Sequence, residues 1–580
     1  MSFDDLMVQL GLEPRPQQST LVEHLRGRVA LGEVCLAQAG TGTGKSYVVL
    51  AEAIRLARLD PEDRPAVVVC PNNTLIDQYV RKDAPVVAGA LGAKVQYLKG
   101  RGRYICANAP SVRAKVGSSY VDRAEWFWEM SGRGELEWAE LGFDQSWGCP
   151  GGKRCKKKCV AGCPEGECTC LYPCGIMVMR RLARFADVVI TNAHVLMWDQ
   201  RLSEWTDGNV RLLPEYCALF VDECHELEAI GRDVHSTEIT PRSRVWLMSR
   251  EIDTWRQGLL DKLTGPDAET ELVINPTDPE HAVVREHVIE LLDRFDSESD
   301  EYERAEQLLE FLTPDTESYI HVIQLEKDDE PGVMLRKRCV DLHWFYHNLL
   351  TAQPSVLVSG TIPSSDKKRL GIPGVRTKNV GHPFDYSKCQ LYIYPDDPRE
   401  VATRQERVAL AARAIQSTHR DGGGTLLLCT SWADVDWLTA SLPGQLDGVP
   451  VWVQGREKEY ADHGGSLRQD VAEWRESGNG LLIGVRSLFT GLDVPGPALS
   501  QVIVWKLPYA VPDAEVAAIQ TRFGRGVYRD QMMMLLVQGI GRLIRHSTDT
   551  GRVLVMDGRA KGLDFNSNPM AHHLAEFERM

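Results

Sequence analysis

The chain has 580 residues, of which 43% are hydrophobic and 25% are charged, and its formal net charge is −15. This length is too great for one hydrophobic core, so we expect roughly three or four structural units, some of them inserted into others. The acidic balance excludes indiscriminate coating of nucleic acid but is compatible with a local basic groove. No segment has the apolar run that a membrane span requires, and a cytoplasmic protein is predicted.

Arg15 and Gln18 precede an amphipathic segment near the start of the chain. A glutamine amide both donates to and accepts from the edge of an adenine, so this pair is a candidate for binding the base of a nucleotide. A solvated turn is an equally simple explanation of the same residues.

A glycine-rich loop, residues 39–46, follows the first apolar run and precedes a helix-like segment. Glycines let several backbone N–H groups converge on a phosphate, and the start of the helix adds its own unpaired N–H groups. Lys45 is expected to reach the β- and γ-phosphates, and the Ser46 hydroxyl to bind Mg²⁺. A glycine-rich surface loop is the alternative. The predicted ATP site consists of Gly40, Thr41, Gly42, Thr43, Gly44, Lys45 and Ser46.

Eight of the fifteen cysteines lie between Cys106 and Cys174. Residues 99–185 have little periodic apolar pattern, which predicts a small inserted domain held together by inorganic ligands. In a reducing cytoplasm such a cluster favours an iron–sulfur cluster or zinc over disulfides, and free surface thiols are a third alternative. Five basic residues in the six positions from Lys153 to Lys158 are a candidate contact for nucleic-acid phosphates.

Two carboxylates, Asp222 and Glu223, end another apolar run that begins at Cys217. Asp222 is expected to hold Mg²⁺, and Glu223 to orient and deprotonate the attacking water. A solvated carboxylate pair is the alternative. The P-loop upstream favours the second half of a nucleoside triphosphatase site.

The rest of the chain predicts an insertion and a second α/β unit. Residues 231–345 have apolar spacings of three and four, which predict a mostly α-helical insertion. From Gly381, five short apolar runs predict a second parallel sheet without a P-loop, placed over the nucleotide. Arg542 and Arg545 are predicted to share a helix face and to stabilise the charge of a γ-phosphate, although two salt-bridged surface arginines would have the same spacing.

In this order the motifs resemble those of superfamily 2 helicases, specifically the XPD/DinG-like branch. The matching pieces are the P-loop at 39–46, the acidic box at 222–225, the hydroxyl motif at 359–361, the last motif at 538–545, and the DinG-like segments at 383–386, 491–496 and 506–509. Cys224 and Gly360 each stand where the family has Ala.

The resemblance implies an α/β fold with two RecA-like parallel-sheet motor domains, and with an iron–sulfur insertion and a mostly α-helical arch insertion in the first. The implied boundaries are 1–98, 186–230 and 346–380 for motor domain 1, 99–185 for the iron–sulfur domain, 231–345 for the arch and 381–580 for motor domain 2. The implied catalytic residues are Lys45, Asp222, Glu223, Gln538, Arg542 and Arg545, with further nucleotide contacts from Gly491 and Asp493. The implied ligands of a [4Fe–4S] cluster are Cys106, Cys163, Cys168 and Cys174, with zinc as the alternative metal.

The function implied by the resemblance is that of an ATP- and Mg²⁺-dependent DNA helicase. Family members move 5′ to 3′ on single-stranded DNA and unwind tailed duplexes, forks or R-loops, so RNA/DNA hybrids are further expected partners. We expect a monomer that recognises structure, because no base-reading motif is evident. The alternative is an ATP-switched nucleic-acid-binding protein that recruits partners without processive unwinding.

Overall fold

A computed structural model of the chain describes residues 2–40, 42–106, 114–116, 126–127, 137, 175–265, 270–297, 299–315, 317–327, 331–397, 404–454, 467–485, 488–489, 498–546 and 548–579. The strands, numbered in chain order, are β1 Cys35–Gln38, β2 Ala66–Cys70, β3 Val95–Leu98, β4 Val188–Asn192, β5 Ala218–Asp222, β6 Thr237–Ile239, β7 Glu271–Ile274, β8 Tyr319–Lys327, β9 Pro331–Cys339, β10 Ser355–Ser359, β11 Thr377–Asn379, β12 Cys389–Ile393, β13 Gly424–Leu428, β14 Val451–Val453, β15 Gly480–Gly484, β16 Gln501–Val504, β17 Gly551–Val555 and β18 Glu578–Arg579. The α-helices are Phe3–Gln9, Pro16–Ala30, Lys45–Leu59, Asn73–Gln78, Ala84–Leu91, Gly175–Ala183, Ala193–Trp205, Leu227–His235, Arg250–Thr264, Pro279–Arg294, Asp300–Leu312, His343–Thr351, Asp366–Arg369, Arg404–Arg420, Trp432–Ser441, Leu467–Ser477, Ala514–Phe523 and Gly526–Ile540.

The first sheet is parallel throughout and has the strand order β11-β1-β10-β5-β2-β4-β3. Every residue of β1, β2, β4, β5 and β10 is buried. This burial explains their continuous apolar runs, because a strand covered on both faces needs no polar alternation. The carboxyl ends of β1, β10 and β5 are neighbours, so the segments that begin at Ala39, Gly360 and Glu223 meet at one edge.

The second sheet is also parallel, with the order β14-β15-β13-β16-β17-β12-β18. The helix Gly526–Ile540 packs on it through buried side chains that include Met532, Met533 and Leu536. The two predicted parallel sheets are therefore confirmed, and each apolar run singled out in the sequence lies in one of their strands. Four strands of these two sheets were not predicted, namely β3, β11, β12 and β18.

The insertion between β5 and β10 differs from its prediction. The predicted helical structure is present in the helices Arg250–Thr264, Pro279–Arg294 and Asp300–Leu312. It also contains an antiparallel sheet with the order β6-β9-β8-β7, so a mostly helical insertion is an incomplete description. In β8, His321, Val322 and Ile323 are all buried, which removes the alternation that marks a half-exposed strand in a sequence.

The residues that flank the cysteine-rich segment, Ile105 and Gly175, lie side by side. The N–H of Gly175 donates to the carbonyl of Ile105 at 3.2 Å, and a Cβ on Gly175 would lie 2.9 Å from the Cβ of Tyr104. Of the predicted ligands, Cys106 is described and is buried, whereas Cys163, Cys168 and Cys174 lie outside the described residues. Within the described part of the chain, no helix is long and apolar enough to cross a membrane.

Candidate nucleotide site

The P-loop turns sharply between β1 and the helix Lys45–Leu59. Gly42 and Gly44 have φ values of 75° and 74°, in the left-handed region that favours glycine. The loop is also tightly enclosed, because a Cβ on Gly42 would lie 2.2 Å from the Phe384 ring and one on Gly40 would lie 2.1 Å from His382. The glycines are therefore required both by the turn and by the packing. Thr41 lies outside the described residues.

Of the two residues predicted to contact the base, one lies directly on the loop. Gln18 is buried, its Oε1 accepts from the N–H of Arg15 at 3.0 Å, and its Nε2 would lie 2.4 Å from a Cβ on Gly44. Arg15 is exposed at the start of the helix Pro16–Ala30. The neighbouring Gln17 donates to the His382 carbonyl at 3.1 Å, which fixes this turn against the opposite side of the loop.

The acidic pair lies opposite Lys45. The Lys45 ammonium donates to Glu223 Oε1 and lies 4.0 Å from Asp222 Oδ1. Glu223 has a φ of 50°, a left-handed conformation that is uncommon for a non-glycine residue and that turns its carboxylate away from the strand direction. The structure thus brings together Lys45, Asp222 and Glu223, which are separated by almost 180 residues in sequence.

The electrostatics of this group follow from burial and from Lys45. Burial raises the pKa of Glu223, but the Lys45 ammonium and the His225 ring outweigh burial and lower that pKa to about 2. Burial raises the pKa of Asp222, and Lys45 opposes this increase only in part. Burial lowers the pKa of Lys45, but the two carboxylates more than compensate and leave it raised. Glu223 is therefore ionised at neutral pH.

A chain of hydrogen bonds leads from Glu223 to the second motor sheet. The Ser359 hydroxyl donates to Glu223 Oε2 at 3.0 Å and lies 2.7 Å from His225 Nδ1. On the other side of the imidazole, Gln538 Nε2 lies 2.7 Å from His225 Nε2. Gln538 Nε2 also lies 3.3 Å from the Thr361 hydroxyl. If Gln538 donates, His225 carries its proton on Nδ1 and donates to Ser359, so that every bond has one donor.

The sequence predicted that the two arginines of the last motif share a helix face. This prediction is wrong. The helix ends at Ile540, with its C-cap at Gly541, and both arginines lie in the turns that follow. Arg542 Nε donates to the Phe489 carbonyl at 3.0 Å, and the N–H of Arg545 donates to Asp549 at 2.9 Å. Gln538, three residues before the C-cap, contacts His225 of the acidic box.

Other sequence predictions have mixed outcomes. Gly360 fits beside the P-loop, because a Cβ there would lie 3.9 Å from Lys45 Nζ, an ordinary contact that would also accept the family's Ala. Gly491 and Asp493 lie outside the described residues, and their nucleotide contacts stay a prediction. Sequence reasoning missed Tyr79, whose hydroxyl donates to Asp222 Oδ2 at 2.8 Å. No pattern around Tyr79 marks it, because it lies on a short segment with no motif of its own.

The comparisons with known proteins cover nearly the whole chain. The Helicase C-terminal domain family matches residues 414–573. The ATP-dependent DNA helicase YoaA of Escherichia coli (strain K12) is 25% identical over 95% of this chain and 92% of its own length. The ATP-dependent helicase DinG of Mycobacterium tuberculosis (strain ATCC 25177 / H37Ra) is 27% identical over 95% of this chain and 91% of its own length. The chain is thus similar along nearly its whole length to helicases of the YoaA and DinG kind.

The solved structures agree at the level of fold. The XPD helicase structure matches with a TM-score of 0.60 at 15% identity, and the match covers 98% of this chain and 99% of that one. The predicted architecture of two RecA-like motor domains is thereby confirmed. The sheet that carries the P-loop belongs to the first motor domain. The sheet on which the helix of Gln538 packs belongs to the second.

Proposed function

We propose that this chain is an ATP-dependent DNA helicase that moves along single-stranded DNA, 5′ to 3′, and unwinds tailed duplexes, forks or R-loops. The observation that carries the proposal is the hydrogen-bond chain from Glu223 through Ser359 and His225 to Gln538, because it joins the hydrolytic carboxylate to the second motor domain. The helicase names of the relatives YoaA and DinG support the same reaction. The protein acts as a cytoplasmic monomer, with RNA/DNA hybrids among its partners.

The P-loop side of the site binds the nucleotide. The loop N–H groups and Lys45 would hold the phosphates, and Gln18, which lies against Gly44, would bind the base. The Ser46 hydroxyl and the Asp222 carboxylate are hard oxygen donors, the kind that Mg²⁺ prefers, so the residues present fit this ion. When bound, Mg²⁺ neutralises charge on the phosphates.

The basicity of the Glu223 carboxylate depends on the position of Lys45. In this structure Lys45 pairs with Glu223, which lowers the pKa of that carboxyl to about 2 and makes it a weak base. Phosphates that draw Lys45 away remove the largest counter-charge, so the pKa of Glu223 rises once ATP is bound. Glu223 then orients water and accepts its proton only when nucleotide is present.

The second motor domain senses this event through Gln538. A change in the position of Glu223 alters its bond to Ser359, then the Ser359–His225 contact and finally the contact of His225 with Gln538. The two motor domains would close and open during each ATP cycle. The bound strand would move by the distance between the closed and open positions of the second domain. Arg542 and Arg545 follow Gln538 directly, and closure is proposed to bring them toward the γ-phosphate.

The cysteine-rich insertion is proposed to carry a [4Fe–4S] cluster ligated by Cys106, Cys163, Cys168 and Cys174. The bond from Gly175 to Ile105 supports this assignment, because it holds the residue after the last ligand beside the residue before the first. Thiolates are the usual ligands of such clusters. Anaerobic purification with iron and zinc analysis tests it, and a colourless protein with stoichiometric zinc would contradict the cluster and leave the motor assignment intact.

Strand displacement tests the helicase proposal. Wild-type protein, ATP and Mg²⁺ should release the labelled strand of a 5′-tailed duplex, and Lys45→Ala should release none. Lys262→Ala is the matched control, because Lys262 forms an exposed pair with Glu280 on the insertion, and such pairs contribute little. Turnover of ATP by the wild type without displaced strand, on DNA that it binds, would contradict the proposal.

A further inference from the structure

A short π-helical turn, Tyr79–Asp83, lies between the helices Asn73–Gln78 and Ala84–Leu91. Turns of this type are rare inside α-helices and are found disproportionately at functional sites. This turn directs two side chains, Tyr79 and Asp83, toward the nucleotide site. Both are buried, with exposed fractions of 0% and 5%.

Tyr79 fixes the orientation of Asp222. Its hydroxyl donates to Asp222 Oδ2 at 2.8 Å, while Asp222 Oδ1 accepts from the N–H of Glu223 at 3.0 Å. A carboxylate held at both oxygens cannot rotate, and its remaining lone pairs keep one direction. Because the Tyr79 ring is completely buried, the donor itself is also immobile.

The Asp83 side chain lies near the Ser46 hydroxyl, the other predicted magnesium ligand. Among the described residues, the second oxygen of Asp83, Oδ2, has no hydrogen-bond partner although it is buried. An unpartnered buried carboxylate oxygen is costly, so this atom is suited to a donor that arrives with the ligand.

We propose that Tyr79 and Asp83 are positioning residues of the magnesium site, with Tyr79 orienting Asp222 and Asp83 accepting a hydrogen bond from a water of the ion. The inference rests on the proposed function, since it requires binding of Mg²⁺ with ATP. Mg²⁺ keeps several of its waters in proteins, and these waters donate hydrogen bonds to carboxylates just beyond the ligands. Outer groups of this kind change metal affinity about 10- to 100-fold when they are removed.

Metal affinity can be measured without turnover. Mn²⁺ binding is followed by electron paramagnetic resonance in the presence of a non-hydrolysable ATP analogue, for the wild type, Tyr79→Phe and Asp83→Asn. We expect the Mn²⁺ dissociation constant to rise about tenfold in each variant. The affinity of each variant for a fluorescent ATP analogue, measured in EDTA, should equal that of the wild type, because neither residue contacts the P-loop N–H groups. A general loss of structure would instead weaken both kinds of binding.

Two control variants match the changes. Tyr216→Phe removes a buried tyrosine hydroxyl that bonds to Gln200 away from the acidic pair, and Asp77→Asn removes a carboxylate from the helix just before the turn, where it pairs with Lys99. Both should bind Mn²⁺ like the wild type. Wild-type affinity for Mn²⁺ in Tyr79→Phe and Asp83→Asn, with unchanged circular dichroism, would overturn this inference and leave the proposed function intact. A wild type whose nucleotide binding does not depend on metal would instead contradict the proposed function.

Discussion

Ser359 joins two functional groups that lie far apart in the sequence. Its oxygen donates to Glu223, lies 2.7 Å from His225 Nδ1 and accepts from the N–H of Thr361 at 3.2 Å. Each of these contacts is an ordinary hydrogen bond, worth about 1 kcal/mol net. Their importance comes from their position, because Ser359 joins the Glu223 carboxylate to His225, the residue that Gln538 contacts.

Ser359→Ala should therefore lower the rate of DNA-stimulated ATP hydrolysis about tenfold, the effect of roughly 1.4 kcal/mol in the transition state, with nucleotide affinity unchanged. Ser355→Ala is the matched control. It changes a buried serine at the other end of the same strand, whose hydroxyl donates to the Gln353 carbonyl. Steady-state kinetics measure both variants, and equal rates for Ser359→Ala and the wild type would refute a role for this bridge.

At this scale the sequence predicted the residues that carry charge and missed those that orient them. Lys45, Asp222 and Glu223 lie in motifs whose spacing is dictated by phosphate chemistry, and the structure brings them together. Tyr79 contacts Asp222 only because a π-helical turn rotates it inward. A local sequence does not show such a turn, since it depends on packing against β2 and the P-loop helix.

The P-loop is the element on which the first motor domain depends. It is enclosed by Gln18 on one side and by His382 and Phe384 on the other, so its shape is determined by packing as well as by its glycines. The enclosing residues of 382–384 come from the segment that leads into the second motor domain. We therefore expect a movement of that segment to displace the phosphate loop.

Gly42→Ala should abolish nucleotide binding. The added Cβ would be forced into a left-handed conformation, at a cost of about 1–2 kcal/mol, and would lie 2.2 Å from the Phe384 ring. Gly27→Ala is the control, because a Cβ there meets nothing within 4 Å and alanine favours the helix. Binding of a fluorescent ATP analogue separates the two, and wild-type affinity in Gly42→Ala would contradict the described loop.

Strands buried on both faces were easy to predict, because they are continuous apolar runs between polar breaks. β11, with the residues Thr377, Lys378 and Asn379, carries no such signal and pairs with β1 only through its backbone. The hairpin of β8 and β9 was missed for the opposite reason, since its buried and charged residues do not alternate. Element type was thus predictable where one physical requirement dominated the sequence.

The second motor domain contacts both the first motor domain and the insertion 231–345. Gln38 donates to the Pro569 carbonyl at 2.9 Å, Arg522 pairs with Asp341 at 2.6 Å, and Arg232 pairs with Glu515. His382, beside the P-loop, packs against His573 of the second domain with 4.2 Å between ring centroids. None of these pairings was visible in the sequence, because each joins residues more than 180 positions apart.

The histidine pair predicts a pH dependence. Burial, together with nearby histidines, lowers the pKa of His382 to about 4 and that of His573 to about 3. Both rings are neutral in the folded protein, so stability is complete above about pH 6.5 and is lost as the pH falls, because only the unfolded chain takes up the protons. At pH 5.5 the loss is about 1.4 kcal/mol for each ring.

Unfolding in urea at pH 7.5 and pH 5.5 checks this dependence. His573→Phe should lose about 1.4 kcal/mol less than the wild type between the two conditions. The exposed neighbour His572, changed to Gln, should leave the pH dependence as it is in the wild type. An identical decrease in the wild type and His573→Phe would show that these rings are solvated in the folded protein.

The most direct test of the account is ATP hydrolysis stimulated by single-stranded DNA in Gln538→Leu. Leucine keeps the size of the side chain but cannot bond to His225, so the second motor domain loses its link to Glu223. We predict that the variant binds ATP and DNA like the wild type but loses the stimulation by at least about tenfold, together with strand displacement. Wild-type stimulation and displacement in Gln538→Leu would contradict the claim that this contact couples the two domains.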